Sequence, residues 1–238
     1  MDSKTIIAGA RREGRAALDE AAGKALLASY GIAVPRTRVV KTPEGVDGAL
    51  QGLTLPVVVK VVSPDILHKS DAGGVKVNLS TPEAVREAIR TMSALPGIRD
   101  ALVEGWLIEE MAPAGQEIVV GGLRDPQFGP LVMVGLGGIF VEVLSDVSFR
   151  ICPISRIDAE EMLDDLKGVA ILKGARGRKP VSREGIIDVL LKVGGENGLL
   201  IQHENDIQEA DLNPVIVSDD GAIAVDARFI LTHVEVAK

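Results

Sequence analysis

Aromatic side chains are scarce in this chain, and cysteine is almost absent. Its 238 residues include four Phe, one Trp and one Tyr, together 3% of the chain, and the single cysteine is Cys152. So few aromatics leave little material for the stacking platforms that bind single-stranded nucleic acids. One cysteine excludes an intrachain disulfide and favours a reducing compartment.

An excess of basic charge and a long apolar run are also lacking. The chain has 34 acidic and 26 basic side chains, a formal net charge of −8, whereas sequence-independent nucleic-acid binding requires a basic surface. The longest uncharged stretch, 126–141, has sixteen residues with four glycines, and it is too short and too rich in glycine for a membrane span. The charged N-terminus contains no apolar block, so no secretory signal is visible. We therefore expect a cytoplasmic protein that binds neither nucleic acid nor membrane.

What the sequence does have is 46% hydrophobic residues, enough for a sizeable core. The β-branched run 55–62 predicts a buried strand. Two Thr-Pro-Glu segments, 42–44 and 81–83, predict helix starts with threonine as the N-cap. Segment 213–228 predicts a hairpin that turns at 219–221. Strands and helices that do not strictly alternate favour an α+β fold with two lobes.

Lys60 stands in the otherwise apolar strand. Because side chains alternate across a strand, Lys60 shares a face with Val58 and Val62. A lysine among apolar side chains is costly unless its charge is paired. An anionic ligand such as a nucleotide phosphate would pair it. Alternatively, the lysine lies at the strand end and extends its ammonium group to water.

A histidine lies in the polar loop that follows this strand. The loop, 63–74, holds His68 next to Lys69 and ends in two glycines. Neutral imidazole is a good nucleophile near pH 7 and accepts a phosphoryl group. Two interpretations remain open from these residues: a catalytic histidine, or a solvated histidine of an ordinary loop.

Glycine recurs through segment 129–138, around a further predicted strand. Consecutive glycines allow backbone N–H groups to converge into a nest that binds anions. Close packing at tight strand turns would explain the same glycines. A dinucleotide fingerprint starts at Gly135, but Phe140 stands where its third glycine belongs.

Three side chains whose oxygen atoms can bind a metal ion lie in or just before the predicted hairpin. They are Asp211, Asn213 and Asp226. With a two-residue turn at 219–220, Asn213 lies directly opposite Asp226; with a turn at 220–221, Asp226 is displaced by two residues. Both registers place these side chains on one face, within about 4.5–8 Å, and Asp211 shares that face. Oxygen ligands grouped in this way suit Mg²⁺ bound beside phosphates. Polar residues that face solvent on an ordinary hairpin are the alternative.

Together these segments resemble a known family. The chain is similar to the β subunit, an ATP-grasp protein, of the NDP-forming acyl-CoA synthetases, a group that includes ADP-forming acetyl-CoA synthetase. The succinyl-CoA synthetase β subunit is a more distant relative. The similarity runs from about Leu18 to the C-terminus and rests on segments 20–35, 59–71, 124–130, 135–142, 172–177 and 211–214.

The resemblance implies an α+β ATP-grasp fold, two lobes with mixed β-sheets that hold ATP/ADP between them. Residues 21–112 would form the N-terminal lobe, and residues 1–20 and 113–238 the C-terminal lobe. His68 matches a histidine that takes a phosphoryl group on a mobile loop, and Asp211 matches an acid that steadies the phosphohistidine. Asn213 and Asp226 match the Mg²⁺ ligands. The candidate nucleotide-binding residues are Lys60, Lys69, Glu109, Met111, Glu117, Gly135, Gly137 and Gly138.

The resemblance also implies a partner. In the family, acyl phosphate and CoA react at a CoA-binding α module, whose own histidine is phosphorylated first, and phosphate then passes through the β-subunit histidine to ADP. A chain of 238 residues has no room for that module, so we expect a CoA-binding α subunit in an α2β2 assembly. The implied reaction is the reversible conversion of acyl-CoA, ADP and Pi to acid, ATP and CoA. An ATP-grasp carboxylate ligase with another acceptor, and a non-catalytic nucleotide-sensing module, remain alternatives.

Overall fold

The computed structural model describes residues 2–66, 68–174 and 179–232, and the backbone alone of Ile139 and Glu142. The chain divides into two compact units: Pro35–Ala112 forms the smaller one, and Met1–Val34 joins Pro113–Lys238 in the larger one. Leu67 of the predicted histidine loop and residues 175–177 of segment 172–177 lie outside the described residues.

The larger unit begins with two helices and a short strand, which are α1 (Ser3–Arg12), β1 (Ala17–Leu18) and α2 (Glu20–Ser29). We expected residues 21–34 in the other lobe, but α2 packs within the larger unit. A Cβ at Gly23 would lie 2.8 Å from the Ala227 carbonyl oxygen, and Leu26 and Leu27 are fully buried in the core of this unit. The predicted boundary is wrong here because contacts between residues so far apart in the chain leave no local signal in the sequence.

The smaller unit is a four-stranded sheet that packs helices against one face. Its elements are β2 (Thr37–Val40), a 3-10 helix (Pro43–Gly45), α3 (Val46–Leu50), β3 (Val57–Val62), β4 (Val75–Leu79), α4 (Pro82–Ser93), α5 (Pro96–Arg99) and β5 (Gly105–Glu110). The strand order is β2-β5-β3-β4. Val57, Val59 and Val61 alternate along β3 and all lie in the core with residues of α4. The buried strand predicted for this region is therefore confirmed, although it starts at Val57.

The rest of the larger unit builds a second sheet. Its elements are β6 (Gln116–Asp125), β7 (Gly129–Leu136), α6 (Ile139–Glu142), β8 (Val147–Ile151), α7 (Arg156–Asp164), α8 (Val169–Leu172), α9 (Arg183–Gly194), α10 (Leu199–Gln202), β9 (Ile207–Val217), β10 (Ala222–Ala224) and β11 (Arg228–Leu231). The strand order is β1-β11-β9-β6-β7-β8, and β10 pairs with β9. Among the described residues, no helix is long and apolar enough to cross a membrane.

The α+β class is confirmed, but the direction of the strands differs from the expectation of mixed sheets. The strand pairs of both sheets are antiparallel. Strands that follow one another through short turns, such as β6 with β7 and β9 with β10, can only pair in this direction.

The large sheet has two faces of different character. On one face Ile118, Val134 and Leu212 are fully buried in a core that includes α9. Successive side chains of a strand point to opposite faces of the sheet. Asp211, which directly precedes Leu212, therefore lies on the other face. This second face carries Asp211, one of the polar residues that the sequence singled out.

Candidate functional site

Lys60 and Glu109 form a buried ion pair in the smaller unit. In the pairing of β3 with β5, Lys60 lies opposite Leu107 and Glu109 lies opposite Val58, so the two charged side chains are diagonal neighbours on one face. The Lys60 Nζ lies 3.1 Å from the Glu109 Oε1, and the two side chains are 7% and 0% exposed. Lys60 therefore does not extend to water, and a carboxylate of the neighbouring strand already balances its charge. The structure thus brings together two of the candidate nucleotide-binding residues.

The loop that carries His68 is fixed on both sides of the histidine. Before it, the Asp65 carboxylate accepts a hydrogen bond from the Leu102 N–H at 2.7 Å, and Ile66 is buried in the small core. After it, the Gly74 N–H donates to the Lys69 carbonyl at 2.7 Å. His68 itself is exposed. A neutral imidazole on such a loop is accessible to a phosphoryl donor.

Glycine is required at the two positions that end this loop, for a different structural reason at each. Gly73 has a φ of +72°, a left-handed conformation that favours glycine. A Cβ at Gly74 would lie 2.5 Å from the Val61 Cγ1, so only glycine allows this close approach to β3. Both glycines shape the loop that holds His68 and the half-buried Lys69.

The end of β5 is anchored by a residue that the sequence did not reveal as important. Glu110 accepts hydrogen bonds from the Arg36 guanidinium at 2.6 and 2.9 Å and from the Thr54 N–H at 2.6 Å. The hydrogen bond from Arg36 lowers the pKa of the Glu110 carboxyl below its usual value. These contacts fix the strand end at which Glu109 is buried and Met111 is exposed.

In the larger unit, close packing explains two of the three predicted glycines. The Gly137 N–H donates to the Glu117 carbonyl at 2.9 Å, and a Cβ at Gly137 would lie 2.8 Å from the Glu117 Cβ. A Cβ at Gly135 would lie 2.9 Å from the Val147 Cγ1. Gly138 is different, because its φ is +62° and a Cβ there would meet open space. Of the three, Gly138 is the position that leaves room for a ligand.

The hairpin residues adopt the first of the two registers considered. Val217 pairs with Ala222 and Val215 with Ala224, and the Ser218 N–H donates to the Gly221 carbonyl at 2.9 Å. The turn is therefore the two-residue turn 219–220, and continuing this register places Asn213 directly opposite Asp226. The pairing of β11 with β9 has the same register, with Arg228 opposite Asp211. Asp211 and Asn213 lie on β9, and Asp226 lies in the short segment between β10 and β11.

The surroundings of Asp211 are acidic. Burial raises the pKa of the Asp211 carboxyl, and the negative charges of Glu209 and Asp226 raise it further, whereas Arg228 lowers it. A bulge in the pairing of β6 with β9, between Ile118 and Val120, lies at the level of Asn213 and re-aims side chains there. Carboxylate and amide oxygens gathered in this way suit a hard divalent cation that keeps several waters and phosphate oxygens as ligands. The residues present therefore fit Mg²⁺ bound with a nucleotide.

A complete protein-made metal cage is not seen. Within residues 2–66, 68–174 and 179–232, no group of three or more His, Cys, Asp or Glu side chains is arranged to hold a metal ion. Burial raises the pKa of the Cys152 thiol to about 12, so little of the nucleophilic thiolate forms near neutral pH.

Asp146 is a further residue that the sequence did not single out. It is 3% exposed, and its carboxylate accepts hydrogen bonds from the Lys167 and Gly168 N–H groups, both at 2.8 Å. Its own N–H donates to the Phe140 carbonyl at 3.0 Å. Asp146 thus ties the glycine-rich turn to the start of α8. An acid whose partners are backbone groups leaves no pattern of charged neighbours in the sequence.

The predicted site residues fall into two sets, one in each unit. Lys60, His68, Lys69, Glu109 and Met111 belong to the smaller unit, and Glu117, the glycines and the hairpin residues to the larger one. Within each set the structure brings pairs together: Lys60 with Glu109, Glu117 with Gly137, and Asn213 with Asp226.

Comparison with known proteins gives consistent matches over nearly the whole chain. The profile of a family described as an ATP-grasp domain matches residues 9–231. The β subunit of acetate–CoA ligase (ADP-forming) I from Pyrococcus furiosus is 48% identical over 231 residues, which are 96% of this chain and 97% of that subunit. The acetate–CoA ligase (ADP-forming) I of Archaeoglobus fulgidus is 42% identical over 212 residues, 89% of this chain but 30% of that longer protein.

Solved structures of one further relative match equally well. They are structures of the dinucleotide-forming acetyl-coenzyme A synthetase 1 of Candidatus Korarchaeum cryptofilum. The complex with coenzyme A and Ca-AMPCP has a TM-score of 0.92 at 44% identity and covers 97% of this chain and 100% of that one. Another complex, with coenzyme A and Mg-AMPPCP, has its phosphohistidine segment pointing towards the nucleotide binding site; its TM-score is 0.83 at 44% identity, with the same coverage.

Proposed function

Since this chain belongs to the ATP-grasp family, we propose that it is the nucleotide-binding β subunit of an ADP-forming acyl-CoA ligase. The observation that carries the proposal is the match to an entire β subunit at 48% identity, together with an exposed histidine on an anchored loop. Acetate is the acid named for the relatives most similar in length. The substrate class is therefore a short carboxylic acid such as acetate.

We propose that His68 carries the phosphoryl group. An imidazole nitrogen lone pair attacks the γ-phosphorus of ATP, an N–P bond forms, and the bond from phosphorus to the ADP oxygen breaks. In the reverse direction the phosphohistidine donates to ADP. Ile66 and the hydrogen bond of Asp65 fix the loop before the histidine, so the segment from His68 onward presents the imidazole.

The other predicted residues would position and neutralise phosphate. The ammonium groups of Lys60 and Lys69 would contact phosphate oxygens, and Glu109 would hold Lys60 in place through its ion pair. The backbone of Met111 would contact the adenine, and Glu117 would contact the ribose. Mg²⁺ bound at Asn213 and Asp226 would neutralise charge on the phosphates during transfer. Asp211 would accept a hydrogen bond from the phosphorylated imidazole and so orient it.

The partner in this proposal is a CoA-binding α subunit, in an α2β2 assembly. This chain covers 97% of a β-subunit relative but 30% of a single-chain relative, so the remaining chemistry of the longer protein belongs to other segments. The α subunit would form acyl phosphate and acyl-CoA and exchange phosphate with His68. A cytoplasmic location remains part of the proposal, and it rests on the lone cysteine.

The test is reconstitution of the chain with its CoA-binding α subunit. Continued ADP formation over many turnovers should require ATP, Mg²⁺, acetate and CoA together, whereas ATP and Mg²⁺ alone should give about one ADP per chain as His68 is phosphorylated. His68→Asn should lose at least a thousandfold in turnover, whereas Ser70→Ala, in the same exposed loop, should retain it. Turnover by His68→Asn would instead indicate a ligase with another acceptor. Nucleotide binding by the reconstituted wild type without any turnover would indicate a sensing module.

A further inference from the structure

We propose that an exposed apolar strip on the large sheet docks the CoA-binding α subunit, an inference that rests on the function proposed above. The strip consists of side chains from three neighbouring strands, β6, β7 and β8. Its members are Leu123, Leu131, Met133, Phe149 and Ile151.

Strand register makes these five side chains one continuous surface. Leu123 of β6 lies opposite Leu131, which lies opposite Ile151. One step along, Met133 lies opposite Phe149. Residues directly opposite one another in adjacent strands point to the same face and contact each other. Leu123, Phe149 and Ile151 are 46%, 54% and 53% exposed, so the strip is open to solvent.

The strip lies on the same sheet face as Asp211. Gly121 pairs with Met133 on one side and with Asp211 on the other, so Asp211, Met133 and Phe149 belong to one row across the sheet. Three strand spacings separate Asp211 from Phe149, about 14 Å in all. On the β9 side, Leu123 is bordered by Glu209. A face that is apolar in one part and charged beside it has the composition of a protein interface.

The composition of the chain strengthens this interpretation. Only six aromatic residues are present, four of them Phe, and a chain with so few would be expected to bury them. Phe149 is nevertheless 54% exposed, and Phe128, in the turn that joins β6 to β7, is 60% exposed. Aromatic side chains, Phe included, and Met are enriched at the core of protein interfaces. Contiguous exposed apolar area of this kind is typical of a surface that binds another protein.

The α subunit is the occupant that fits best. In the single-chain relative from Archaeoglobus fulgidus, the matching region is 30% of the protein, so the same fold there adjoins further domains within one chain. A relay through His68 also requires the α subunit to approach the nucleotide-binding chain. A second copy of this chain that paired isologously through the strip would bury the face with Asp211 in both copies.

The experiment compares binding of the purified α subunit to the wild type and to the variant Phe149→Ser/Ile151→Ser. We expect the variant to bind the α subunit at least tenfold more weakly, measured by isothermal titration calorimetry. The matched control is Ile157→Ser. Ile157 is 67% exposed and lies on α7, a helix whose buried residues belong to the core on the other face of the sheet, and its variant should bind within twofold of the wild type.

A second measurement separates a lost interface from a lost fold. Each variant alone should bind MgADP with the Kd of the wild type, because the strip lies outside the proposed nucleotide residues. If the double variant does not fold, the single variant Leu123→Gln serves in its place. Equal affinity of the strip variants and the control for the α subunit would overturn the proposal. So would a strip variant that loses only self-association of the isolated chain. A wild-type chain that binds no α subunit would instead refute the proposed function.

Discussion

At the scale of single residues, Lys60 shows what a strand sequence leaves open. The strand pattern correctly places Lys60 on the face opposite the valines of the core, where a charge requires compensation. The compensating group, Glu109, comes from another strand, and only the register of β3 with β5 brings the two within 3.1 Å. The need for a partner was therefore predictable from the sequence, but its identity was not.

Removal of the Lys60 ammonium should be strongly destabilising. Lys60→Met leaves the carboxylate of Glu109 in a fully buried position without the ammonium at 3.1 Å, and breaking such a pair costs about 3–5 kcal/mol. Lys60→Met/Glu109→Gln should be less destabilised than the sum of the two single variants, by about 1–3 kcal/mol. Urea unfolding of all three variants measures these differences.

The matched control for this cycle is Lys76→Met, which removes an exposed lysine from β4, the strand next to β3. It should change the free energy of unfolding by less than about 0.5 kcal/mol. Equal effects of the Lys60 and Lys76 substitutions would show that the buried pair does not contribute as described.

At the scale of elements, the two Thr-Pro-Glu segments show the limit of local signals. After Thr81 the predicted helix forms over twelve residues, and the threonine hydroxyl accepts a hydrogen bond from the Ala84 N–H at 3.1 Å. After Thr42 the chain forms a three-residue 3-10 helix and a five-residue α3, and Thr42 makes no side-chain cap hydrogen bond. The residues that follow each segment explain the difference. After Thr81, Val85, Ile89 and Met92 recur at helical spacing. After Thr42, three glycines within ten residues disfavour a helix.

The hairpin that carries Asn213 could be predicted in more detail than the helices, down to its register. Its register depends on where one turn lies, and the sequence offered two positions for a two-residue turn, 219–220 and 220–221. The bulge in the hairpin strand β9, where Asn213 and Pro214 face the single residue Val119 of β6, had no such signal, since it depends on how β6 and β9 meet. Local turn chemistry therefore predicted the pair Asn213–Asp226, and tertiary packing set its final surroundings.

The glycine-rich turn gives a prediction at this scale, because two adjacent glycines serve different purposes. Gly137→Ala places a Cβ 2.8 Å from the Glu117 Cβ and 2.9 Å from the Glu117 carbonyl oxygen, so β6 and β7 must move apart. Gly138→Ala meets no neighbouring atom, but its φ of +62° costs an L-residue about 1–2 kcal/mol. We expect Gly137→Ala to be the more destabilising of the two, by at least about 1 kcal/mol.

Urea unfolding compares the two glycine variants, and MgADP titration shows the consequence for the site. Gly137→Ala should also weaken MgADP binding, because Glu117 would be displaced from its position beside the turn. If Gly138→Ala proved the more destabilising variant, strain in the left-handed position rather than contact with Glu117 would dominate this turn.

At the scale of the whole molecule, the resemblance rather than the residue pattern identified the function. The patterns alone allowed a phosphate site, a reactive histidine or an Mg²⁺ site, each beside an ordinary structural alternative. The ordered succession of motifs predicted the ATP-grasp family, and the match to residues 9–231 confirms it. The placement of α2 in the larger unit was missed, because a helix shows which of its faces is apolar but not which unit it packs against.

Nucleotide binding should stabilise the molecule in a way that depends on the metal. A ligand at about one hundred times its Kd adds about 2.7 kcal/mol to the stability of the state that binds it. MgADP should therefore raise the Tm by roughly 5–10 °C, and chelation of Mg²⁺ by EDTA should remove most of that shift. Differential scanning calorimetry provides the measurement.

The variant Asp226→Asn tests whether the shift belongs to the proposed ligand pair. It should lose most of the shift caused by MgADP, since a carboxylate is a stronger Mg²⁺ ligand than an amide. Asp188→Asn, which changes an exposed acid on α9, should keep the full shift. Equal shifts in the two variants would place the metal elsewhere.

The central claim is that this chain carries phosphate on His68. Its most direct test is to incubate the chain and its α subunit with ATP labelled in the γ-phosphate and then to locate the label. We predict one acid-labile, base-stable phosphate per chain on His68, absent from His68→Asn and retained by Ser70→Ala. A wild-type chain that binds ATP but carries no such phosphate, or carries it at another residue, would contradict the account.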